Sequence, residues 1–224
     1  FVIEASSYQL EYSQIFRSKY AAILNISPDH IERHKTLNRY IKAKFKLLKN
    51  QRKGNFAFVK DNDPLIKKEL KLNRFQSRVI NVNTQKIPHL FNKMNNRYFL
   101  SETNKENLLF VFKISRKLKL RNNIFIKTIK KFKGLNYRQQ IILERKNLMI
   151  INDSKSTSFS SSVGLLKSDH KIYWLIGGVY KKGDIFNLPN KYFKNIKAFI
   201  YGKEKEFFNQ KLKNKIEFKN FDNI

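Results

Sequence analysis

Short apolar runs alternate along this chain with stretches of helical spacing, and polar loops separate them. Phe1 to Ala5 predicts a buried strand with Glu4 near its end. Ser6 and Ser7 are placed to cap a helix over Tyr8 to Ile15. Tyr20 to Ile26 reads as a buried parallel strand, and the polar loop Asn25 to His34 follows. Leu37, Tyr40, Ile41, Lys44, Phe45 and Leu48 recur at helical spacing, which predicts a helix over Leu37 to Asn50. Phe56 to Val59 predicts a further strand, after which Asp63 is placed to cap a helix that opens with Pro64. Arg78 to Val82 predicts a strand and Asn95 to Leu100 another, then helices over Thr103 to Leu118 and Asn123 to Phe132, stopped at Lys133-Gly134.

Beyond that stop the pattern changes. Gln140 to Glu144 and Leu148 to Ile151 predict two strands across a turn at Arg145-Lys146-Asn147. The polar loop Asn152 to Thr157 leads into a helix ending at Leu166. Ile172 to Ile176 predicts a strand ending at Gly177-Gly178, and Ala198 to Tyr201 another before Gly202 and a helix from Lys205. Strand, polar loop, helix, strand is the grammar of an α/β fold, with polar residues at strand ends where such folds carry their sites. The expected organisation is two domains, 1–138 and 139–224, the first built on a mostly parallel sheet with flanking helices and the second an incomplete α/β unit. The sequence opens at Phe1 inside an expected strand, and the second domain has few strand–helix units. Both suggest a segment truncated at each end.

Composition narrows the functional classes. With no cysteine, disulfides, Fe–S clusters and Cys-ligated zinc are excluded. No apolar run is long enough to span a bilayer, and the first residues do not form a signal peptide. The net charge of +30, from 47 Lys+Arg against 17 Asp+Glu, would gather phosphates on any basic face. The basic residues are spread along the chain, however, and no RNA-recognition signature, zinc finger or GXXG loop is present. The charge therefore leaves three readings open: nucleic acid, an anionic substrate, or a lysine-rich composition with no specific partner.

Two polar clusters carry candidate chemistry. Glu4 ends the first expected strand and His30 follows the second, so parallel pairing would bring a carboxylate and an imidazole to one sheet edge, suited to Mg²⁺ or Mn²⁺ with Asp29 orienting the ring. A solvated loop histidine is the plain alternative, and His30 with His34 also has the spacing of a zinc pair. The second cluster is Asn152-Asp153-Ser154-Lys155-Ser156-Thr157, which offers a carboxylate, hydroxyls, an amine and the first amides of a helix to an anion. Ordinary turn and capping chemistry accounts for the same residue types.

Taken together, these residues resemble the bacterial Mur ligases, most closely their D-glutamate-adding branch. Glu4-Ala5-Ser6-Ser7-Tyr8-Gln9-Leu10-Glu11 looks like that family's E-x-S-S-F/Y-Q-L-E segment, and Asn25-Ile26-Ser27-Pro28-Asp29-His30 like its N-I/V-x-x-D-H loop. Tyr40-Ile41-Lys42-Ala43-Lys44 follows Y-x-x-A-K, Asn152 to Thr157 follows N-D-S-K-A/S-T, and Gly177-Gly178 with Lys181 follows G-G-x-x-K. The resemblance implies a central ATP-binding domain and the start of a Rossmann-like C-terminal domain, in a cytoplasmic, monomeric bacterial enzyme of peptidoglycan synthesis. It implies Mg²⁺ on Glu4, His30 and a carbamylated Lys44, and a muramoyl substrate near Ser6, Gln9 and Asn25. Asn104, Asn107 and Arg138 would face ATP, with Asp153 on the same side. Lys155, Thr157 and Lys181 would receive D-glutamate, and Lys44, His30 and Lys155 would carry the chemistry. The implied substrates are UDP-N-acetylmuramoyl-L-alanine and D-glutamate, joined through an acyl phosphate.

The chain departs from the family pattern at Thr103-Asn104-Lys105-Glu106-Asn107, where His-Asn-x-x-Asn is usual, and at Leu135-Asn136-Tyr137-Arg138, where Leu-Pro-His-Arg is usual. Gln140 stands where an acid is frequent, and no G-x-x-x-x-G-K-S/T occurs among the 224 residues. Hence the expectation of a fragment that lacks the N-terminal domain, the phosphate-binding loop and the end of the C-terminal domain, inactive alone. A sister ligase of the Mur or folylpolyglutamate type, or a basic RNA-binding domain without activity, are the alternatives.

Overall fold

The computed structural model describes residues 1–27, 31–99, 101–180 and 184–222. The chain divides into two compact units, one of Phe1–Asn95 with Lys105–Lys131, the other of Asn96–Asn104 with Phe132–Ile224.

The first unit is built on three parallel strands, β1 (Tyr20–Ile23), β2 (Phe56–Lys60) and β3 (Arg78–Val82), in the order β1-β2-β3. Side chains alternate across a strand, so β2 feeds two cores at once. Ala57 and Val59 face a cluster that includes Tyr40, Ile41, Phe45 and Leu48 of α3 (Leu37–Lys49) and Ile66 of α4 (Pro64–Leu72). Phe58 faces the other way, against Leu109 and Phe110 of α5 (Glu102–Lys117). Phe45 and Leu48 are fully buried, each worth about 1.5–3 kcal/mol relative to exposure. Two shorter helices, α1 (Ser7–Tyr12) and α2 (Ile31–His34), lie near α3, and α6 (Asn122–Lys131) follows α5.

The second unit begins with an antiparallel hairpin, β4 (Gln140–Arg145) and β5 (Leu148–Asn152), whose register shifts between Ile141 and Leu143. A parallel sheet follows, in the order β6 (Ile172–Gly177), β7 (Ile196–Tyr201), β8 (Glu217–Phe221). Ile196, Ala198 and Ile200 of β7 pack on Phe159 and Leu166 of α7 (Phe159–Leu166) and on Phe208 and Leu212 of α8 (Lys205–Leu212). On the opposite face Tyr173, Leu175 and Phe221 are exposed, with Tyr173, Phe199 and Phe221 forming a row of rings.

The α/β class expected from the pattern is the class observed, and most elements fall where the spacing puts them. Four differences have physical causes. Phe1–Ile3 are exposed and form no strand, because among the described residues nothing pairs with them. Glu4 therefore does not stand at a strand end. The first helix ends at Tyr12 because Ser13 turns into extended backbone (ψ 120°). Around Asn95–Phe99 a 3₁₀ turn (Arg97–Phe99) replaces the expected strand: Asn95 has φ 40° and the Asn96 side chain accepts from the Tyr98 amide at 3.0 Å. The pattern predicts no strand at β8, since Glu217-Phe218-Lys219-Asn220-Phe221 alternates only weakly.

Candidate functional site

In the first unit the candidate residues gather around α1 and the C-terminal end of β1. Ser6 and Gln9 form a capping box: the Ser6 hydroxyl accepts from the Gln9 amide at 3.2 Å, and Gln9 Oε1 accepts from the Ser6 amide at 2.8 Å. Both side chains serve here as acceptors, so among the described residues the Ser6 hydroxyl proton and the Gln9 NH₂ remain available to a ligand. Glu4 precedes this box on an exposed segment.

Lys44 leaves α3 half-buried and reaches the carbonyl of Asn25 at 3.4 Å, with its ammonium 5.1 Å from the Tyr40 ring centre. Among the described residues no carboxylate pairs with it. The loop after β1 is held by Asp63, whose Oδ2 accepts from the Ile26 amide at 2.9 Å while Oδ1 caps α4 at Leu65 and Ile66, each at 3.0 Å. His30 lies outside the described residues, so the proposed Glu4–His30 pair is not visible. Among the described residues no group of three or more His, Asp or Glu stands ready for a metal.

Expected at the end of the polar loop Asn25–His34, His34 instead lies on the helix α2. It is 1% exposed, with Nε2 2.9 Å from the Ser7 hydroxyl, Tyr8 stacked on its ring and Tyr40 at its edge. The only signal for this in the sequence was its position one helical turn beyond His30.

In the second unit the Asn152–Thr157 loop is tied down by its own acid. Asp153 Oδ1 accepts from the Gln139 amide at 3.0 Å and Oδ2 from the Ser156 hydroxyl at 2.5 Å. The Lys155 amide donates to the Tyr137 carbonyl at 3.1 Å, and Asn152 Oδ1 accepts from the Ser154 amide at 3.0 Å. With the backbone so held, the side chains of Lys155 and Thr157 are exposed. The first amide of α7 was expected to offer an anion site, but Phe159 donates to Asp184 Oδ2 at 2.7 Å, so an internal carboxylate already occupies it. Lys181 lies outside the described residues.

Gln139 is buried and accepts from the Ser101 hydroxyl at 2.6 Å, while Ser101 also accepts from the Asn104 amide at 3.3 Å. Asn104 is itself buried and donates one Nδ2 hydrogen to the Tyr98 carbonyl at 2.7 Å, so its second Nδ2 hydrogen and Oδ1 are the groups it could turn to a nucleotide. Arg138 is exposed, in a tight turn that returns its amide to the Leu135 carbonyl at 3.2 Å. Gly134 precedes that turn with φ 82°, and a Cβ there would run into the Tyr98 ring. Burial raises the Tyr98 hydroxyl above its ordinary 10.0, a rise that Asp153 assists; a hydrogen bond with the Leu135 backbone and the charge of Arg138 oppose it. In the first unit, Asn107 is half-buried on α5, beside Glu106, which binds Lys60 at 2.7 and 2.8 Å.

The family description of the Mur ligase middle domain matches residues 1–137, a span that holds the capping box, the Asn25 loop and Lys44. The chain belongs to the Mur ligase family. Along its whole length this Mur ligase chain is 29% identical to the UDP-N-acetylmuramoylalanine--D-glutamate ligase of Rickettsia felis, covering 100% of this chain and 54% of that protein. It is 30% identical to the Rickettsia prowazekii ligase of the same name, with the same coverage. To that of Francisella tularensis strain SCHU S4 it is 32% identical, covering 95% of this chain and 50% of that one. The chain thus spans about half the length of the curated relatives it matches. Among solved structures it is similar to the MurF ligase of Thermotoga maritima in complex with ADP, at TM-score 0.69 and 14% identity over 98% of this chain and 56% of that one. The MurC ligase of the same organism gives TM-score 0.61 at 15% identity, over 96% and 53%. At such identities the likeness concerns the fold: α/β units with parallel sheets flanked by helices.

Proposed function

We propose that the protein to which this chain belongs is an ATP-dependent ligase that joins D-glutamate to UDP-N-acetylmuramoyl-L-alanine. The γ-phosphoryl of ATP passes to the L-alanyl carboxylate, giving an acyl phosphate and ADP. The D-glutamate amine attacks the acyl carbon, phosphate leaves, and the nitrogen loses a proton to give the amide.

The observation that carries this reading is the Asn152–Thr157 loop. Asp153 is committed to holding it, and Lys155 and Thr157 are left facing outward, as a carboxylate-rich amino acid requires. Likeness to D-glutamate ligases along the whole chain supports the same assignment. In this mechanism Lys155, Thr157 and Lys181 hold the D-glutamate carboxylates, Arg138 and Asn107 the nucleotide, and the free donors of Ser6 and Gln9 the muramoyl side, with Asn25 beside them. Mg²⁺ would offset the charge gathering on the phosphates. Glu4, His30 and carbamylated Lys44 would hold it, and the fit rests on Lys44, whose amine is free of carboxylate partners among the described residues. Its carbamate forms as the neutral amine adds to CO₂ and releases a proton.

The test uses the full-length protein with ATP. Phosphate release should require both UDP-N-acetylmuramoyl-L-alanine and D-glutamate, and diaminopimelate or L-lysine should not replace the latter. Turnover that proceeds without D-glutamate, or prefers another amino acid, would overturn the assignment. Replacing Lys44 with Ala should lower kcat on the order of 100-fold; unchanged turnover would remove the carbamate.

A further inference from the structure

The mechanism above leaves His34 unused, although it is among the most deeply buried polar side chains of the first unit. We propose that His34 is a positioning residue that fixes the Ser6–Gln9 capping box, and with it the muramoyl-binding edge, against the helix that carries Lys44. This rests on the ligase reading.

Helix α1 spans only Ser7–Tyr12, too short to hold its own conformation or direction, so tertiary ties must set both. Besides the buried Leu10 and the Arg33 guanidinium over the Tyr8 and Tyr12 rings, those ties include the Arg33 guanidinium to the Tyr12 hydroxyl at 2.6 Å, Lys46 Nζ to the Glu11 carbonyl at 2.8 Å, and His34 to Ser7. Of these three bonds the first two are exposed and the His34–Ser7 bond is the buried one, and it grips the residue next to the Ser6 cap. The imidazole touches both elements at once. Tyr8 of α1 stacks on it at 5.5 Å and 15°, and Tyr40 of α3 meets its edge at 5.5 Å and 60°.

The electrostatics give the ring a direction. Glu11 Oε2 stands 3.6 Å from Nδ1, which favours the proton on that nitrogen and leaves Nε2 to accept from the Ser7 hydroxyl. Nδ1 itself has no hydrogen-bond partner. A phenyl ring would fill the same volume without leaving a buried nitrogen unsatisfied. What the polar ring adds over a phenyl is the Ser7 bond and the nearby Glu11 carboxylate, both of which orient α1.

The experiment compares His34→Gln, His34→Asn and His34→Phe in the full-length protein. Gln places a polar group near the position of Nε2, Asn only near that of Nδ1, and Phe keeps the ring alone. The expected result is a KM for UDP-N-acetylmuramoyl-L-alanine about tenfold higher in the Phe and Asn variants, with KM for D-glutamate within about twofold of wild type. Amides of Ser7–Tyr12 should exchange faster in those two variants, and the Gln variant should recover most of both effects. The inference is overturned if His34→Phe matches wild type in KM and exchange, or if all kinetic constants fall together with the melting temperature and Gln gives no recovery. Should the wild-type protein show no turnover, the ligase reading fails. The exchange measurement then decides alone: unchanged exchange of α1 in His34→Phe rejects the positioning role, and accelerated exchange that Gln restores upholds it.

Discussion

Asp153 sits beside Lys155 in the loop assigned to D-glutamate, yet its two oxygens are taken by the Gln139 amide and the Ser156 hydroxyl. Its removal should act on the loop before it acts on chemistry. Asp153→Ala is expected to cost about 1–3 kcal/mol in urea unfolding, the range for leaving a partly buried amide without its acceptor. Asp153→Asn keeps one acceptor and should cost less. An Ala variant as stable as wild type would show that the loop is held by other means. Tyr98, in the same unit, offers a pH readout. Burial, assisted by Asp153, lifts its hydroxyl above 10.0, so the folded state keeps this proton more tightly than the unfolded chain does. That contribution is fully present below the unfolded value and is lost as pH rises through the folded one. As pH rises above 10.0, stability should therefore fall more steeply in wild type than in Tyr98→Phe. Equal slopes would sink the assignment. The residue types of the N-D-S-K-S-T loop were legible in the sequence, but not this division of labour. Which atom a carboxylate faces depends on Gln139, a residue fourteen positions away whose backbone carries no mark of it.

Elements were most readable where local chemistry and burial agree. The helix opening at Pro64 was placed from Asp63-Pro64 alone, since a capping acid and a proline at the first helical position point the same way. The structure adds a third amide, that of Ile26, on the same carboxylate, so Asp63 both starts α4 and secures the loop after β1. Asp63→Ala should cost about 2–4 kcal/mol, combining a lost cap with an orphaned buried amide. Denaturant unfolding checks this, and a loss below about 0.5 kcal/mol would mean that Ile26 finds another acceptor. Elements failed to follow the pattern where tertiary pairing decides. Phe1-Val2-Ile3 has strand composition but no strand neighbour among the described residues, whereas Glu217–Phe221 has poor composition and still pairs along β7. Sheet propensity describes fit to a neighbour, and the neighbour is not written in the segment itself. The helical reading of Leu37–Lys49 succeeded for the opposite reason: one face of buried residues states its own requirement.

At the scale of the whole chain, family membership and charge make different claims. Two α/β units, each on a parallel three-stranded sheet, answer to the Mur ligase fold, and the fold is indifferent to how its solvated faces are charged. Within this chain the +30 charge also acts as self-repulsion, which opposes the compact state because folding brings like charges closer. The ion pairs that resist it, such as Lys167–Glu102 at 2.7 Å and Lys205–Asp222 at 2.6 Å, are surface contacts of small individual value. Salt screens both effects, but the repulsion involves many more cations than the pairs do. Raising NaCl from about 0.01 M to about 0.1 M shortens the screening length from roughly 30 Å to roughly 10 Å, which leaves contact pairs largely intact and removes most long-range repulsion. The melting temperature should therefore rise with salt and level off once the screening length falls below the spacing between neighbouring lysines. A melting temperature that fell over this range would mean that the pairs outweigh the excess charge, and that the lysines are arranged for attraction rather than merely numerous.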